Sequence, residues 1–340
     1  MFHYAILLYP SANRVYTDSS AALLRAELAV FGEALGATLE DIGERRLGGV
    51  TYVTFSTAER LSTDDVTLLS NLSALYALFE LTGDLLRPVE LSPLDRFGTD
   101  LLTIQKYSGK TNELFTKLLL NVTLLSTSDP TAFLIRPLHV LDPLCGRGTT
   151  LNQAMDYGLD STGIELDKRD FEAYEHFIKT WLRTKRVKHT ADSGQLRRNK
   201  TMLGRRLELG FGLTKEQYKA GEVRHITFYN CDTVAGAGLL KGGSVDVIVT
   251  DAPYGVQHGS HRTGELSRSP RDLLAAAVPA WVRTLRSGGA LGMSWNTHVT
   301  KREEITEILT AAGLEVRELG DFAHRVDQAI LRDLVVARKP

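Results

Sequence analysis

Apolar positions along this chain gather in short β-branched runs that end in an acid, a glycine or a proline, with helically spaced stretches between them. The clearest run is Val245-Asp246-Val247-Ile248-Val249, continuing into Thr250-Asp251-Ala252-Pro253-Tyr254-Gly255. Its length and β-branching predict a buried central strand. Pro253 stops it, because proline has no N–H for the ladder. Residues 139–142 predict a second strand, followed by a turn through Gly146 and Gly148 and a helix over 151–157. Residues 161–165, 226–229 and 290–295 predict further strands, and 114–125 and 303–312 predict helices. Residues 314–319 and 329–337 predict a closing antiparallel pair. Strands alternating with helices place this part in the α/β class, as a Rossmann-like, doubly wound, mostly parallel sheet.

The first third reads differently. It predicts a strand over 4–9, an amphipathic helix over 20–35, a strand over 49–55 and a second helix over 64–81. Leu23, Leu24, Leu28 and Phe31 recur at helical spacing and are assigned to the core. Arg87-Pro88 and Ser92-Pro93 break the pattern. The chain therefore divides into a small α+β accessory domain over 1–95 and a catalytic domain over 96–340.

Ligands of open α/β sheets bind outside the carboxyl ends of the strands. That rule makes the residues at those ends the candidate site. Asp251 and the carbonyl of Ala252 are both acceptors, suited to the two hydrogens of an exocyclic amine. The ring of Tyr254 can stack on the heterocycle carrying that amine. The same tetrapeptide also serves as an ordinary strand-ending turn. Gly146 and Gly148 allow positive φ and a close ligand, and the helix start after Thr149 adds free N–H groups. Position 151 is Leu, so the dinucleotide fingerprint is not met. Asp142 instead offers negative charge to an ammonium or sulfonium. Glu165, seventeen positions after Gly148, stands where a carboxylate grips ribose hydroxyls. Asp232 follows the strand over 226–229, so four strand ends carry an acid: Asp142, Glu165, Asp232 and Asp251.

Charge changes the picture in one place. The whole chain carries 40 basic and 41 acidic residues, a net charge of −1, and so no global bias toward nucleic acid. Between Trp181 and Arg206, however, Arg183, Lys185, Arg186, Lys188, Arg197, Arg198, Lys200, Arg205 and Arg206 face the single acid Asp192. This predicts a cationic loop within an insertion around 183–224, with Arg197, Arg198 and Lys200 as candidate phosphate contacts. Lys110 and Asn112 either touch a phosphate or cap the helix that follows them. Ser108-Gly109-Lys110-Thr111 is not a P-loop, since Ile104 stands where its first glycine belongs. His258, His261 and Arg262 contact either the base or only solvent. The two cysteines, Cys145 and Cys231, have neither metal-ligand nor disulfide spacing and fit a reducing compartment. No run approaches ~18 apolar residues and the start is not signal-like, so a soluble cytoplasmic protein with no membrane partner is expected.

At these residues the chain resembles the class I S-adenosylmethionine-dependent methyltransferases, in the amino-methylating branch with an Asp/Asn-Pro-Pro-Tyr motif. Within that branch it is most similar to the THUMP-associated tRNA guanine-N2 methyltransferases. Asp142-Pro143-Leu144-Cys145-Gly146-Arg147-Gly148-Thr149, Gly163-Ile164-Glu165 and Asp251-Ala252-Pro253-Tyr254 carry the resemblance. It implies a seven-stranded sheet with an antiparallel last strand and a ferredoxin-like N-terminal domain. It implies S-adenosylmethionine as cofactor, leaving as S-adenosylhomocysteine, bound by Asp142, Pro143, Cys145, Gly146, Gly148, Thr149, Glu165, Asp232 and Asp251. In that family's pattern Asp142 and Gly146 line the methionine moiety, Glu165 the ribose and Asp232 the adenine amine. Asp251, Ala252, Pro253 and Tyr254 would be catalytic, with no metal. The implied reaction is methylation of guanine N2 in tRNA or another RNA. A DNA adenine-N6 or cytosine-N4 methyltransferase, a protein-glutamine methyltransferase and a noncatalytic cofactor-sensing or nucleic-acid-binding protein are the alternatives. Two departures stand out: Ala252 replaces the usual proline, and about 95 residues are too few for a full THUMP domain. The second leaves room for a partner protein.

Overall fold

The computed structural model describes residues 1–10, 14–253 and 269–340, with the backbone alone at 14–17. The N-terminal unit runs β1 (Phe2–Leu8), α1 (Arg14–Gly32), β2 (Glu40–Leu47), β3 (Val50–Thr57), α2 (Thr63–Leu69), β4 (Leu75–Thr82) and β5 (Leu85–Val89). Its five strands form an antiparallel sheet in the order β2-β3-β1-β4-β5. The helix expected over 64–81 is corrected to α2 plus β4. A capping box between Ser62 and Asp65 starts α2. Ser70 Oγ and Asn71 Nδ2 then donate back to the carbonyls of Val66 and Thr67. Such back-bonding competes with continuation of the helix, and from Leu75 the chain pairs with β1 instead.

The second unit runs α3 (Asp100–Thr103), α4 (Glu113–Leu125), α5 (Ala132–Ile135), β6 (His139–Asp142), α6 (Thr149–Asp156), β7 (Asp160–Glu165), α7 (Lys168–Thr184), β8 (His189–Arg198), β9 (Thr201–Phe211), α8 (Lys215–Lys219) and β10 (Arg224–Asn230). It continues through α9 (Thr233–Ala237), β11 (Val245–Asp251), α10 (Pro270–Thr284), β12 (Leu285–Asn296), α11 (Arg302–Ala311), β13 (Glu315–Val316), β14 (His324–Arg325) and β15 (Leu331–Arg338). The sheet order is β13-β15-β12-β11-β6-β7-β10-β9-β8, with β14 on β15. The run from β12 to β10 is parallel, and β15 is antiparallel to β12. This is a mixed α/β sheet with a parallel centre. It has ten strands against the seven expected, the additional ones being β8, β9 and β14.

The basic insertion is therefore a β-hairpin and not a loop. Leu207, Leu209 and Phe211 on β9 are buried, and β9 pairs antiparallel with both β8 and β10. Asn199 and Lys200 close the hairpin at φ 51° and 67°. Two central residues at positive φ match the right-handed twist of the flanking strands.

The two sheets share one core. α4 is apolar on nearly all sides and buries ten of its thirteen residues, the pattern of a helix enclosed by protein. A Cβ at Gly292 on β12 would overlap the Thr123 side chain of α4. Helix and sheet thus meet at backbone distance. Leu23, Leu28 and Phe31 of α1 join the same cluster as α4 and Val247 and Val249 of β11. Among the described residues, no helix is long and apolar enough to cross a membrane.

Candidate active site at the carboxyl edge of the sheet

Three of the four predicted acids end parallel strands: Asp142 ends β6, Glu165 ends β7 and Asp251 ends β11. Register sets Asp142 opposite Gly163, two residues short of Glu165, and Glu165 opposite Asn230. Asp142 is 3% exposed and accepts from the N–H of Leu144 at 3.2 Å. Burial pushes its carboxyl up to about 7, while the Thr150 and Thr250 hydroxyls beside it pull the other way and Asp251 adds to the rise. A buried carboxyl so placed gains most from a neighbouring cation.

Glu165 closes on the glycine turn. Its carboxylate accepts from the N–H of Gly146 at 3.0 Å and of Asp167 at 2.7 Å. Burial raises its pKa above the ordinary carboxylate range, opposed by those two amides. The two glycines of the turn serve different ends. Gly146 sits at φ 51°, and a Cβ there would meet nothing within 4 Å, so this position faces open space. Gly148 sits at φ 75° as the N-cap of α6, and a Cβ there would overlap the ring of Tyr174. Gly148 thus lets α7 pack against the turn, a structural need independent of any ligand.

Asp251 is held from two sides. Its Oδ1 accepts from Ser294 Oγ on β12 and its Oδ2 from Thr111 Oγ1, each at 2.5 Å. The guanidinium of Arg332 lies 3.7 Å from Oδ2 and rests over the Phe115 ring at 4.4 Å. An ionised carboxylate accepts about four hydrogen bonds, and the two hydroxyls fix its plane. The N–H of Ala252 donates to the Ser294 carbonyl at 2.8 Å, extending the ladder one residue past Asp251. Ala252 is buried and Pro253 exposed. Tyr254, His258, His261 and Arg262 lie outside the described residues.

The remaining predicted residues fall in several places. Asp232 lies two residues beyond β10 and caps α9, accepting from the N–H groups of Val234 and Ala235. The Pro143 carbonyl accepts from Thr233 Oγ1 at 2.7 Å, which ties the glycine turn to α9. Cys145 is buried against Gly163, whose Cβ would come within 2.7 Å of its sulfur. Burial drives the Cys145 thiol well up and that of Cys231 to about 12, so both stay protonated at neutral pH. Asn112 is the N-cap of α4. Lys110 is engaged with the Leu102 carbonyl at 2.6 Å and with Glu113 at 3.5 Å. Arg197, Arg198 and Lys200 are exposed at the hairpin end.

Several contributors were given no role of their own from the sequence. Thr111 is 140 positions from Asp251, and Ser294 is 43. Tyr107 covers the turn, its hydroxyl 3.3 Å from Thr149 Oγ1 and its ring under the Arg147 guanidinium at 4.6 Å. Leu166 and Val234 are exposed large apolar residues that follow Glu165 and Asp232. That placement was legible in principle, since each sits one or two positions beyond a strand-end acid.

No family model matches the chain. No curated protein matches it either. Solved structures do superpose in part. TehB from Haemophilus influenzae is 13% identical at a TM-score of 0.36, over 62% of this chain and 60% of that one. The chain thus spans less than two thirds of that protein's length. A geranyl diphosphate methyltransferase in complex with SAM is 12% identical at a TM-score of 0.38, over 67% and 85%. A Pyrococcus horikoshii protein provisionally described as an RNA methyltransferase is 13% identical at a TM-score of 0.38, over 72% and 91%. Superposition this loose decides neither family nor substrate.

Proposed function

We propose that the protein is an S-adenosylmethionine-dependent methyltransferase acting on the exocyclic amine of a nucleobase, with guanine N2 in tRNA or another RNA as the substrate. One observation carries the reading. The Asp251 carboxylate, its plane set by two hydroxyls, stands on the same strand-end edge as the open turn at Gly146 and the acids Asp142 and Glu165.

The residues present fit the cofactor. The open position at Gly146 leaves room for a ligand against the backbone. Burial pushes Asp142 up to about 7, and a cationic amino-acid moiety beside it would favour its ionised form. Glu165 offers carboxylate oxygens to hydroxyl pairs, as at the second strand of other nucleotide-binding sheets. Leu166 and Val234 offer apolar surface to a planar ring. When bound, S-adenosylmethionine supplies a methyl group already activated on a sulfonium. Asp251 orients the amine and favours the positive charge that develops on its nitrogen. The Thr111 and Ser294 hydroxyls hold the carboxylate for this role, which keeps reorganisation small. The proton leaves the product ammonium afterwards, so no strong base is required. The carbonyl of Ala252 is the second acceptor, and Tyr254 the stacking surface, in the same proposal.

The test is incubation of the purified protein with S-adenosylmethionine and in-vitro transcribed tRNA, then nucleoside mass spectrometry. N2-methylguanosine is expected. Methylated adenine or cytosine in a DNA control, with unmodified RNA, would move the assignment to the DNA alternative. Methyl transfer confined to protein would contradict a nucleobase substrate.

A further inference from the structure

We propose that the β8–β9 hairpin is a docking arm whose tip, Arg197, Arg198 and Lys200, holds backbone phosphates of the RNA whose base is presented to Asp251. The proposal rests on the nucleobase reading above and adds how the polynucleotide is held.

Strand direction makes the argument. β9 runs antiparallel to β10, with Arg205 opposite Asn230, the last residue of β10. Residues 201–204 therefore continue past the end of β10, and β8 accompanies them through Leu196↔Gly204, Arg197↔Met202 and Arg198↔Thr201. Past that strand end the arm leans over α9, the helix that starts from this edge, and a Cβ at Gly238 would stand 2.9 Å from the Arg198 guanidinium. That is the edge on which Asp142, Glu165 and Asp251 stand. The arm is also seated. Leu196 and Leu203 join the apolar cluster of Cys231, Ala237, Leu239 and Leu240. A Cβ at Gly204 would overlap the Asn230 carbonyl oxygen, so the close approach of arm to strand requires glycine there.

The fold sorts by position the charges that the sequence groups together. α7 starts at the functional edge and ends at the far one, so Arg183, Lys185, Arg186 and Lys188 lie at the opposite end of the sheet. Lys185 is paired there with Asp100 at 2.9 Å. On the flank of the hairpin, Arg205 bridges Glu172 and Glu175 at 2.9 and 3.1 Å, and Arg206 bridges Asp192 at 2.8 Å and also Glu208. The three cations of the tip are exposed and, among the described residues, enter no ion pair. Arg197 donates to Gln195 Oε1 at 2.8 Å. In a chain of net charge −1, this is a local concentration of positive charge on a two-stranded support. A polynucleotide offers a phosphate at every residue, and guanidinium forks match phosphate oxygens.

The experiment measures affinity of the full-length chain for an in-vitro transcribed tRNA pool across a salt series. Three proteins are compared: wild type, the tip triple Arg197→Gln, Arg198→Gln and Lys200→Gln, and a far-edge triple Arg183→Gln, Arg186→Gln and Lys188→Gln. Both triples remove the same charge. The tip triple is expected to flatten the slope of log affinity against log salt by about 2–3, at ~0.7–0.9 per phosphate. It should also bind at least ~10-fold more weakly near 0.1 M salt. The far-edge triple should keep the wild-type slope, and all three should bind S-adenosylmethionine alike. Lys200→Gly suits the left-handed backbone and replaces the tip triple if that variant fails to fold, with an expected slope change of about 0.7–0.9. A wild-type slope in the tip variant overturns the arm, as does equal loss in both triples. Methylated nucleosides in the incubated tRNA read the underlying function separately. If they form while the tip slope is unchanged, only the arm falls. If none form and the wild type binds no RNA, both fall.

Discussion

Glu27 and Asp251 are both carboxylates gripped by donors from distant parts of the chain, yet one is sealed in the core and the other stands at a strand end. Glu27 accepts from Ser73 N–H at 3.1 Å, from Ser73 Oγ at 2.5 Å and from Asn121 Nδ2 at 2.8 Å. Asn121 accepts in turn from the Tyr157 hydroxyl at 2.8 Å. These residues belong to α1, the link from α2 to β4, α4 and the end of α6, so the cluster fastens the N-terminal sheet to the second unit. Glu27 is wholly buried, whereas the Asp251 side chain keeps 20% of its exposure. Satisfied polar groups in a closed core specify packing. The same chemistry at the open edge of a parallel sheet leaves an oriented acceptor for a ligand.

The contrast breaks most visibly at Glu27. Glu27→Ala strands the donors of Ser73 and Asn121 in the core, and a loss of roughly 3 kcal/mol in unfolding free energy is expected. Thermal melting checks it, and a midpoint within a degree or two of wild type would remove Glu27 from any role in fastening the two units.

A pH series sharpens the same point. Burial pushes Glu27 from its ordinary value of 4.5 to about 7, against hydrogen bonds from Asn121 and Ser73 and the nearby charge of Lys117. The folded state therefore holds the proton more tightly than the unfolded chain does. Its contribution is full below about pH 4.5 and is lost as pH rises through about 7. Glu27→Gln mimics the protonated form, so its stability relative to wild type should rise between pH 5 and 8 by ~1–3 kcal/mol. A constant difference would mean that Glu27 stays ionised in the fold.

The smallest effect is expected at Thr111. Thr111→Val removes one hydroxyl from Asp251 and keeps the shape, so single-turnover methyl transfer should fall ~5-fold, about 1 kcal/mol. Melting temperature and cofactor affinity should be unchanged. Full activity in this variant would show that Ser294 and Arg332 suffice to place the carboxylate.

The strands of the parallel centre were legible in the sequence. β6, β7, β10 and β11 each end in an acid or an asparagine, and they lie within a few residues of the ranges read from the pattern. The hairpin was not legible because it lies at the edge of the sheet. Its outer strand buries little besides Leu196, and its charge dominates the composition. The alternation at Leu207, Leu209 and Phe211 was the signal available. Residues 64–81 misled because leucines recur at spacings that suit a helix, whereas Ser70 and Asn71 back-bond to Val66 and Thr67 and the chain then pairs with β1. At the site, the strand-end acids followed from local pattern. The hydroxyls that orient Asp251 did not, since Thr111 and Ser294 reach it only through the packing of α4 and β12.

The most direct test of the account is Asp251→Ala, measured for cofactor binding by calorimetry and for methyl transfer to tRNA in a single turnover. The account predicts S-adenosylmethionine affinity close to wild type and transfer slowed ~100-fold or more, as for loss of a preorganised electrostatic group. Transfer at a rate comparable to wild type would contradict it, and the end of β11 would then be a structural turn.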